Sequence, residues 1–291
     1  MSIRRNMINP DHFHYSQIKF YLIVLPIALF TLLPIIYIIN HAFKPLDELL
    51  RFPPLFIVQR PTLNNFDMLW RVASMTGIPM SRYLANSIVV SLLTVVLNMA
   101  IVACAGYVLS KKRFRLKEKL FSINQVALMF VPIAVTIPRF LVIQNLGLMN
   151  NFMVHILPLL AMPVGLFLVK QFIDQVPDAL LESAQIDGAN DFQVLTKVVL
   201  PNIAPAMATV GILTFQAVWN NTESSNLFVF NESIRTLAFY LSVFTEGAVG
   251  GSIVGAGMAA VSGVIMFVPN LIIFIFMQTK VMNTMSHSGI K

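Results

Sequence analysis

Long apolar runs separated by polar segments dominate the chain, at about 18–40, 86–110, 119–143, 152–173, 203–220 and 256–280. Each is close to the ~20 mostly apolar residues that an α-helix needs to cross the hydrocarbon core of a bilayer. The pattern predicts an all-α membrane protein with six transmembrane helices. The first run follows "MSIRRNMINPDHFHYSQIK". That stretch is too long and polar for a secretory leader and lacks a small-residue cleavage site, so the run is expected to remain as a span. Prolines 26, 34, 132, 138, 158 and 163 fall inside these runs. In a span, neighbouring helices or local unwinding must satisfy the carbonyls that a proline frees.

Composition agrees with the pattern. Of 291 residues, 57% are hydrophobic and only 11% charged, with a mean hydropathy of +0.76. A soluble domain carries about 25% charged residues, so this chain cannot cover itself with a wetted surface. The single Cys104 excludes a disulfide framework and a cysteine metal site. It is expected to be a small buried apolar residue. The five histidines (12, 14, 41, 155 and 287) show no metal-ligand spacing and read as tail, loop or span-edge residues.

The formal charge of +7 changes the picture only once its residues are placed. Arg4, Arg5 and Lys19 precede the first run, and "KKRFRLKEK" between the second and third holds six basic residues in nine positions. Short basic loops stay in the cytoplasm. Both termini and this loop are therefore expected inside, residues 41–85 and 221–255 outside, and 174–202 inside. The basic excess reads as a topology signal and a contact with anionic lipid headgroups, not as a nucleic-acid surface.

One loop breaks the rule. Residues 174–202 carry Lys197 against Asp174, Asp178, Glu182, Asp187 and Asp191. Insertion did not choose these residues. Pro177 and Asp178 predict a helix start, with the Asp side chain capping free amides. "ALLESAQID" then runs to Gly188, suited to the left-handed residue that closes a helix. Phe192, Leu195 and Val199 recur at i, i+3 and i+7, an apolar stripe on a second helix that Pro201 is expected to end. Small residues, carboxylates and an apolar ridge make a docking surface.

From Glu182 the order is Glu-Ser-Ala, three residues, Gly188, nine residues, Val198-x-Leu200-Pro201. This resembles the "EAA" loop of binding-protein-dependent ABC importer permeases, with Ser183 in place of the middle alanine and Leu195 where an aromatic is frequent. "IDGA" is the form common in carbohydrate importers. "AFKPLDELLRFPPLF", "PTLNNF", "RYLANSIVVS", "YVLSKKRF", "LGLMNNFMVHILP" and "RTLAFYL" extend the similarity over nearly the full chain. They are similar to the smaller membrane subunit of the maltose-type group, although Leu116 replaces the glycine usual in the basic loop.

The resemblance implies a type I ABC importer permease fold with both termini cytoplasmic, in a bacterial inner membrane. It implies residues 1–81 as tail, first span and external loop, 82–282 as the transport domain, and 283–291 as a cytoplasmic tail. Glu182, Ser183, Ala184, Asp187, Gly188, Ala189, Leu195 and Pro201 would dock on an ATPase subunit. The chain has no phosphate-cradling G-x-x-x-x-G-K-[ST], so ATP would be used by partners and no cofactor or metal would bind here. The partners implied are two ATP-binding cassette ATPases, a second, related permease and an external solute-binding protein that delivers a sugar or oligosaccharide. Permeases of the same superfamily for peptides, polyamines or phosphate are the alternative.

Three other features carry expectations. Trp219, Asn220 and Asn221 in "WNNTESSN" have the chemistry for sugar stacking and hydroxyl bonding, and equally that of an interfacial belt. Arg139 near the outer part of the third span faces either water or the headgroups. "GAVGGSIVGAG" at 247–257 permits close helix approach or a flexible element beside the path. An ion-driven transporter would need carboxylates in its spans; all thirteen acidic residues lie outside the predicted ones. A membrane-embedded enzyme would need a convergent polar set at membrane depth, and the sequence shows none.

Overall fold

The computed structural model describes residues 17–75, 77–246 and 253–288. Among the described residues the regular structure is helical throughout. Three unbroken helices are long and apolar enough to span a bilayer: α1 (Ile18–Phe43), α4 (Met80–Lys111) and the Gly255–Gln278 part of α15 (Ile253–Ser288). Three bent pairs bring the crossings to as many as six. Short helices α2 (Leu46–Leu49) and α3 (Asn64–Met75) follow α1.

The continuous helix expected over 119–143 is not formed. α5 (Lys117–Met129) stops, and Pro132 opens a 3-10 turn that leads into α6 (Thr136–Asn145), with a bend of 110°. The cause is local: the residue before a proline is pushed out of the helical region, and Val131 sits at φ −73°, ψ 130°. The fourth run breaks similarly before Pro163. There the stretch Phe152–Leu160, which ends in α7 (Leu157–Leu160), meets α8 (Pro163–Asp174) at 41°, with Met162 at φ −115°, ψ 87°. Pro26 and Pro34 leave α1 continuous.

α4 is the central pillar and is built inside out. Its buried face carries Tyr83, Asn86, Ser87, Ser91, Thr94 and Asn98, while Leu92, Leu93, Val96 and Ile101 are exposed. Lipid tails are as apolar as leucine, so burying leucine gains little in a membrane, and interfaces favour small and polar residues. Asn98 shows the use of that face. Its Nδ2 donates to the Leu160 carbonyl (2.9 Å) at the break before Pro163, and its Oδ1 accepts from Thr214 (3.2 Å) on α12 (Ala204–Trp219). The carbonyl is thereby satisfied from a neighbouring helix. Cys104, expected buried, instead lies exposed on α4; it falls on the outward side of the same helix.

Apolar packing concentrates at the two ends of the bundle. At one end Val102, Tyr107, Val169, Ile173, Val199 and Met207 form a core under residues 176–203. At the other, Tyr83, Trp219, Leu241, Phe244 and Val261 join α4, α12, α14 (Leu237–Glu246) and α15. Two glycines permit close approach. A Cβ on Gly106 would lie 2.9 Å from Val169 Cγ1 on α8, and one on Gly257 would lie 2.6 Å from Asn65 Oδ1 on α3. Gly257 thus fulfils the close approach expected of "GAVGGSIVGAG"; residues 247–252 of that run lie outside the described residues.

Candidate functional site

The acidic loop folds into two helices joined by a tight turn. α9 (Asp178–Ile186) closes on Gly188 at φ +85°. The Gly188 N–H donates to Gln185 O and the Ala189 N–H to Ala184 O, both at 3.0 Å. This double closure is the glycine-terminated helix end anticipated from the sequence. Asn190 then starts the second helix through a reciprocal cap: the Asn190 Oδ1 accepts from the Gln193 N–H, and the Gln193 Oε1 accepts from the Asn190 N–H, each at 2.9 Å. The sequence reading passed over this N-x-x-Q signature.

The second helix departs from the expected i, i+3, i+7 stripe. Between α10 (Asp191–Gln193) and α11 (Leu200–Asn202), residues 194–199 form a π-helix. The wider turn brings positions five apart onto one face, so Val194 and Val199 are both fully buried, with Leu195 at 5% exposure. Phe192 is left outside at 69%. Leu195, expected to dock, is thus part of the internal core, and Ala184 and Ala189 pack against the same core. Pro201 does not end the helix. The chain stays helical to Asn202 and bends by 84° at Ile203, ahead of α12 with Pro205 in its first turn. Glu182, Ser183, Asp187, Gly188 and Pro201 are exposed, and Ile186 projects at 86%.

Most of the loop's acid is neutralised from within the chain. Lys111 Nζ donates to Asp178 Oδ1 (2.7 Å) and to the Val176 carbonyl (2.6 Å), and Lys112 Nζ to Asp191 Oδ1 (2.6 Å). Asp174 takes Ser110 Oγ at 2.5 Å and Lys170 Nζ at 2.7 Å. Asp178 therefore pairs with Lys111 and does not cap α9, whose N-cap is Pro177 with no side-chain bond. The Lys111 hydrogen bond and charge hold the Asp178 carboxyl below the usual carboxylate value, and the hydrogen bond to Asp191 raises Lys112. The basic loop and the acidic loop are two halves of one clamp. The signal was present: parity placed both on the same side, with opposite charge. A polar cavity of ≈ 480 Å³ opens beside the clamp, and Glu182 and Gln185 stand on its wall.

At the opposite end, "WNNTESSN" connects helices. Trp219 is 5% exposed and stacks on Phe215, ring centroids 5.6 Å apart. Asn221 Oδ1 accepts from the Ser224 N–H (2.9 Å), and Asn220 Oδ1 from Asn270 Nδ2 (3.4 Å). Arg139, whose partner the sequence did not reveal, pairs with Glu223 at 2.9 Å on α13 (Glu223–Phe228). His155 is 1% exposed, with Nδ1 2.7 Å from Ser224 Oγ and Nε2 3.0 Å from the Ile234 carbonyl. A carbonyl only accepts, so Nε2 carries the proton and Nδ1 accepts from the serine. Among the described residues no cluster of three or more His, Cys, Asp or Glu could hold a metal.

The chain is similar to proteins with this architecture. It is 31% identical over 94% of its length, and 97% of the relative's, to an ABC transporter permease protein of Caldicellulosiruptor sp.. It is 29% identical to the trehalose/maltose transport system permease protein of Thermococcus litoralis, over 91% of this chain and 93% of that one. Its fold matches a chain of a bacterial ABC transporter involved in import of the acidic polysaccharide alginate, with a TM-score of 0.72 at 23% identity, covering 93% of this chain and 99% of that one. Residues 99–279 match the family described as the binding-protein-dependent transport system inner membrane component. With its broken and unbroken spans and an exposed two-helix turn held by a charged clamp, the chain belongs to that family, as a multi-pass permease subunit of the inner membrane.

Proposed function

We propose that the chain forms half of the path through which an ATP-driven importer moves a sugar or oligosaccharide. The turn between α9 and α10 would be its contact with an ATPase subunit. The observation that carries this reading is the division of labour in the loop. Leu181, Val194, Leu195 and Val199 are buried against α4 and α8, while Glu182, Ile186, Asp187 and Phe192 stand exposed around Gly188. Asp174, Asp178 and Asp191 are paired internally, so Glu182 and Asp187 are the acids offered to a basic partner. Ile186 and Phe192 would fill apolar recesses beside them.

Such a turn passes motion to the bundle because it is fixed to it. An ATPase that binds the two states of the permease unequally shifts their balance by that difference in affinity. The full machine would hold two ATP-binding cassette ATPases, a second permease and an external solute-binding protein, with 174–202 and both termini cytoplasmic. A transport domain over about 82–282 fits the start of α4 at Met80 and the family match over 99–279. The saccharide cargo is supported by the trehalose/maltose permease and by the alginate transporter, also known in complex with an alginate pentasaccharide-bound periplasmic protein.

The test is co-purification with the cognate ATPase, followed by ATP hydrolysis and radiolabelled saccharide uptake in proteoliposomes. Glu182→Lys would place like charges in a desolvated contact. Losing one member of such a pair costs about 2–5 kcal/mol, so the ATPase should be lost or transport abolished. Gly188→Val forces a branched residue to φ +85°, a steric outlier, and should behave alike. Because a Cβ there meets nothing within 4 Å, the effect is of backbone and not of crowding. Ser183→Ala should be neutral. Parental binding and transport by Glu182→Lys would refute the reading.

A further inference from the structure

α12 stops before its neighbours do. Its last residue is Trp219, and Val218 packs with Val90, about 15 Å along α4 from Met80 at 1.5 Å per residue. Just beyond, Asn220 Oδ1 accepts from Asn270 Nδ2 at 3.4 Å. Asn270 lies well inside the Gly255–Gln278 span, about 22 Å from one end and about 12 Å from the other. Two neighbouring helices thus place the end of α12 within the span and not at its mouth. Backbone that leaves the helix at such depth is tolerated only where it is buried in protein or lines water. Here the chain is open: Asn220 is exposed, as are Gln216 and Ala217 on the turn before it.

The chemistry of this opening sets it apart. α1 and α4 turn leucine, isoleucine and valine outward, whereas α12 exposes no large apolar residue along its length. Trp219 is turned inward onto Phe215, and Asn221 is spent on the Ser224 N–H. The sugar contacts expected of these two therefore fall to their neighbours. Asn220 Nδ2 donates to the Gln216 carbonyl and Asn270 Nδ2 reaches the Met266 carbonyl, both at 2.9 Å. Asn270 Oδ1 receives no second donor, and the Gln216 side chain has no partner among the described residues. Lipid tails offer such amides nothing, and polar groups at membrane depth face the bundle interior or a water-filled cavity. The core of a protein interface is rich in aromatic residues and methionine; this opening presents Gln216, Ala217 and Asn220. Uncharged amides that both donate and accept match the hydroxyls of a saccharide. Building on the function proposed above, we propose that Gln216, Asn220 and Asn270 form a saccharide-binding subsite on the wall of the path. This chain would then hold cargo as well as transmit force.

The test uses the assembled transporter in proteoliposomes, with Cys104→Ser as background and cysteine-free partner subunits. Gln216→Cys and Asn270→Cys are treated on both sides of the membrane with a small, charged methanethiosulfonate. The reaction is followed without nucleotide, then with ATP held by a hydrolysis-deficient ATPase subunit. Both cysteines should react, at rates that differ between the two states, and the saccharide taken up by the parent should slow them. Gln216→Leu should lower the saccharide moved per ATP hydrolysed by about fivefold, the weight of one hydrogen bond, with every partner still co-purifying. No labelling in either state would place these residues against lipid or protein, and equal labelling would place them outside a gated path. Loss of the second permease from Gln216→Leu would make the opening an interface. A parental ratio of saccharide to ATP would deny the amide a ligand. Each of these overturns the inference alone, since the parent still transports. A parent that moves no saccharide would instead remove the proposed function, and the ligand class with it.

Discussion

Gly106 marks where α4 comes closest to α8: a Cβ there would meet Val169 Cγ1 at 2.9 Å, with Ile173 Cδ1 at 3.4 Å. Both neighbours are fully buried, so neither has room to yield. Overpacking of this kind costs about 1–3 kcal/mol. Gly106→Ala should lower the unfolding midpoint in detergent, and Gly106→Ala with Val169→Ala should recover part of the loss. Equal loss in the single and double variants would place the cost elsewhere. The same close approach makes the coupling reading mechanical, because Val169 and Ile173 also touch the core beneath α9 and the π-helix.

At the scale of elements, the clamp between the end of α4 and the acidic loop has a defined pH window. Asp178 is lowered by Lys111 from its ordinary 3.8, so its contribution is present above that value and is lost as pH falls through the folded value. Lys112 is raised by Asp191 from 10.5; its contribution is present below that value and is lost as pH rises through the folded one. By linkage, amide-exchange protection of the two loop helices, corrected for intrinsic rates, should be flat from about pH 5 to about pH 9, falling in stronger acid as Asp178 is protonated and in stronger alkali as Lys112 is deprotonated. Asp178→Asn should reduce it at neutral pH and remove the acid step. A midpoint near neutrality would show that another group controls the loop.

For the whole molecule, the orientation follows from charge parity and is open to direct measurement. In a Cys104→Ser background, cysteines replacing Arg115 and Asp187, both exposed, should react only with reagents that enter the cytoplasm. One replacing the exposed Asn64 should react from outside. Labelling of position 187 from the exterior of intact cells would invert the assignment and remove the coupling reading with it.

The number and place of the apolar runs, the turn at Gly188 and the start of α9 were legible because each depends on neighbours within a few residues: a span on length and hydropathy, a left-handed helix end on glycine. The family was legible as a resemblance, carried by Glu182, Gly188, Leu200 and Pro201 in the loop and by segments such as "RYLANSIVVS" and "RTLAFYL" elsewhere. The breaks were only half legible, since Pro26 and Pro34 sit within a continuous α1 while the helical path breaks just before Pro132 and Pro163. A proline costs a helix one backbone bond in every case, and the groups that satisfy a break come from elsewhere in the fold, as Asn98 Nδ2 donates to the Leu160 carbonyl before Pro163. Charge parity put the basic and acidic loops on one side, but which residues pair, Asp178 with Lys111, Asp191 with Lys112 and Arg139 with Glu223, and the inward turn of Leu195 were decided by the tertiary structure. Each depends on groups brought together from distant parts of the chain, or on a π-turn that shifts the helical period by a fraction of a residue. Local pattern carries no record of either.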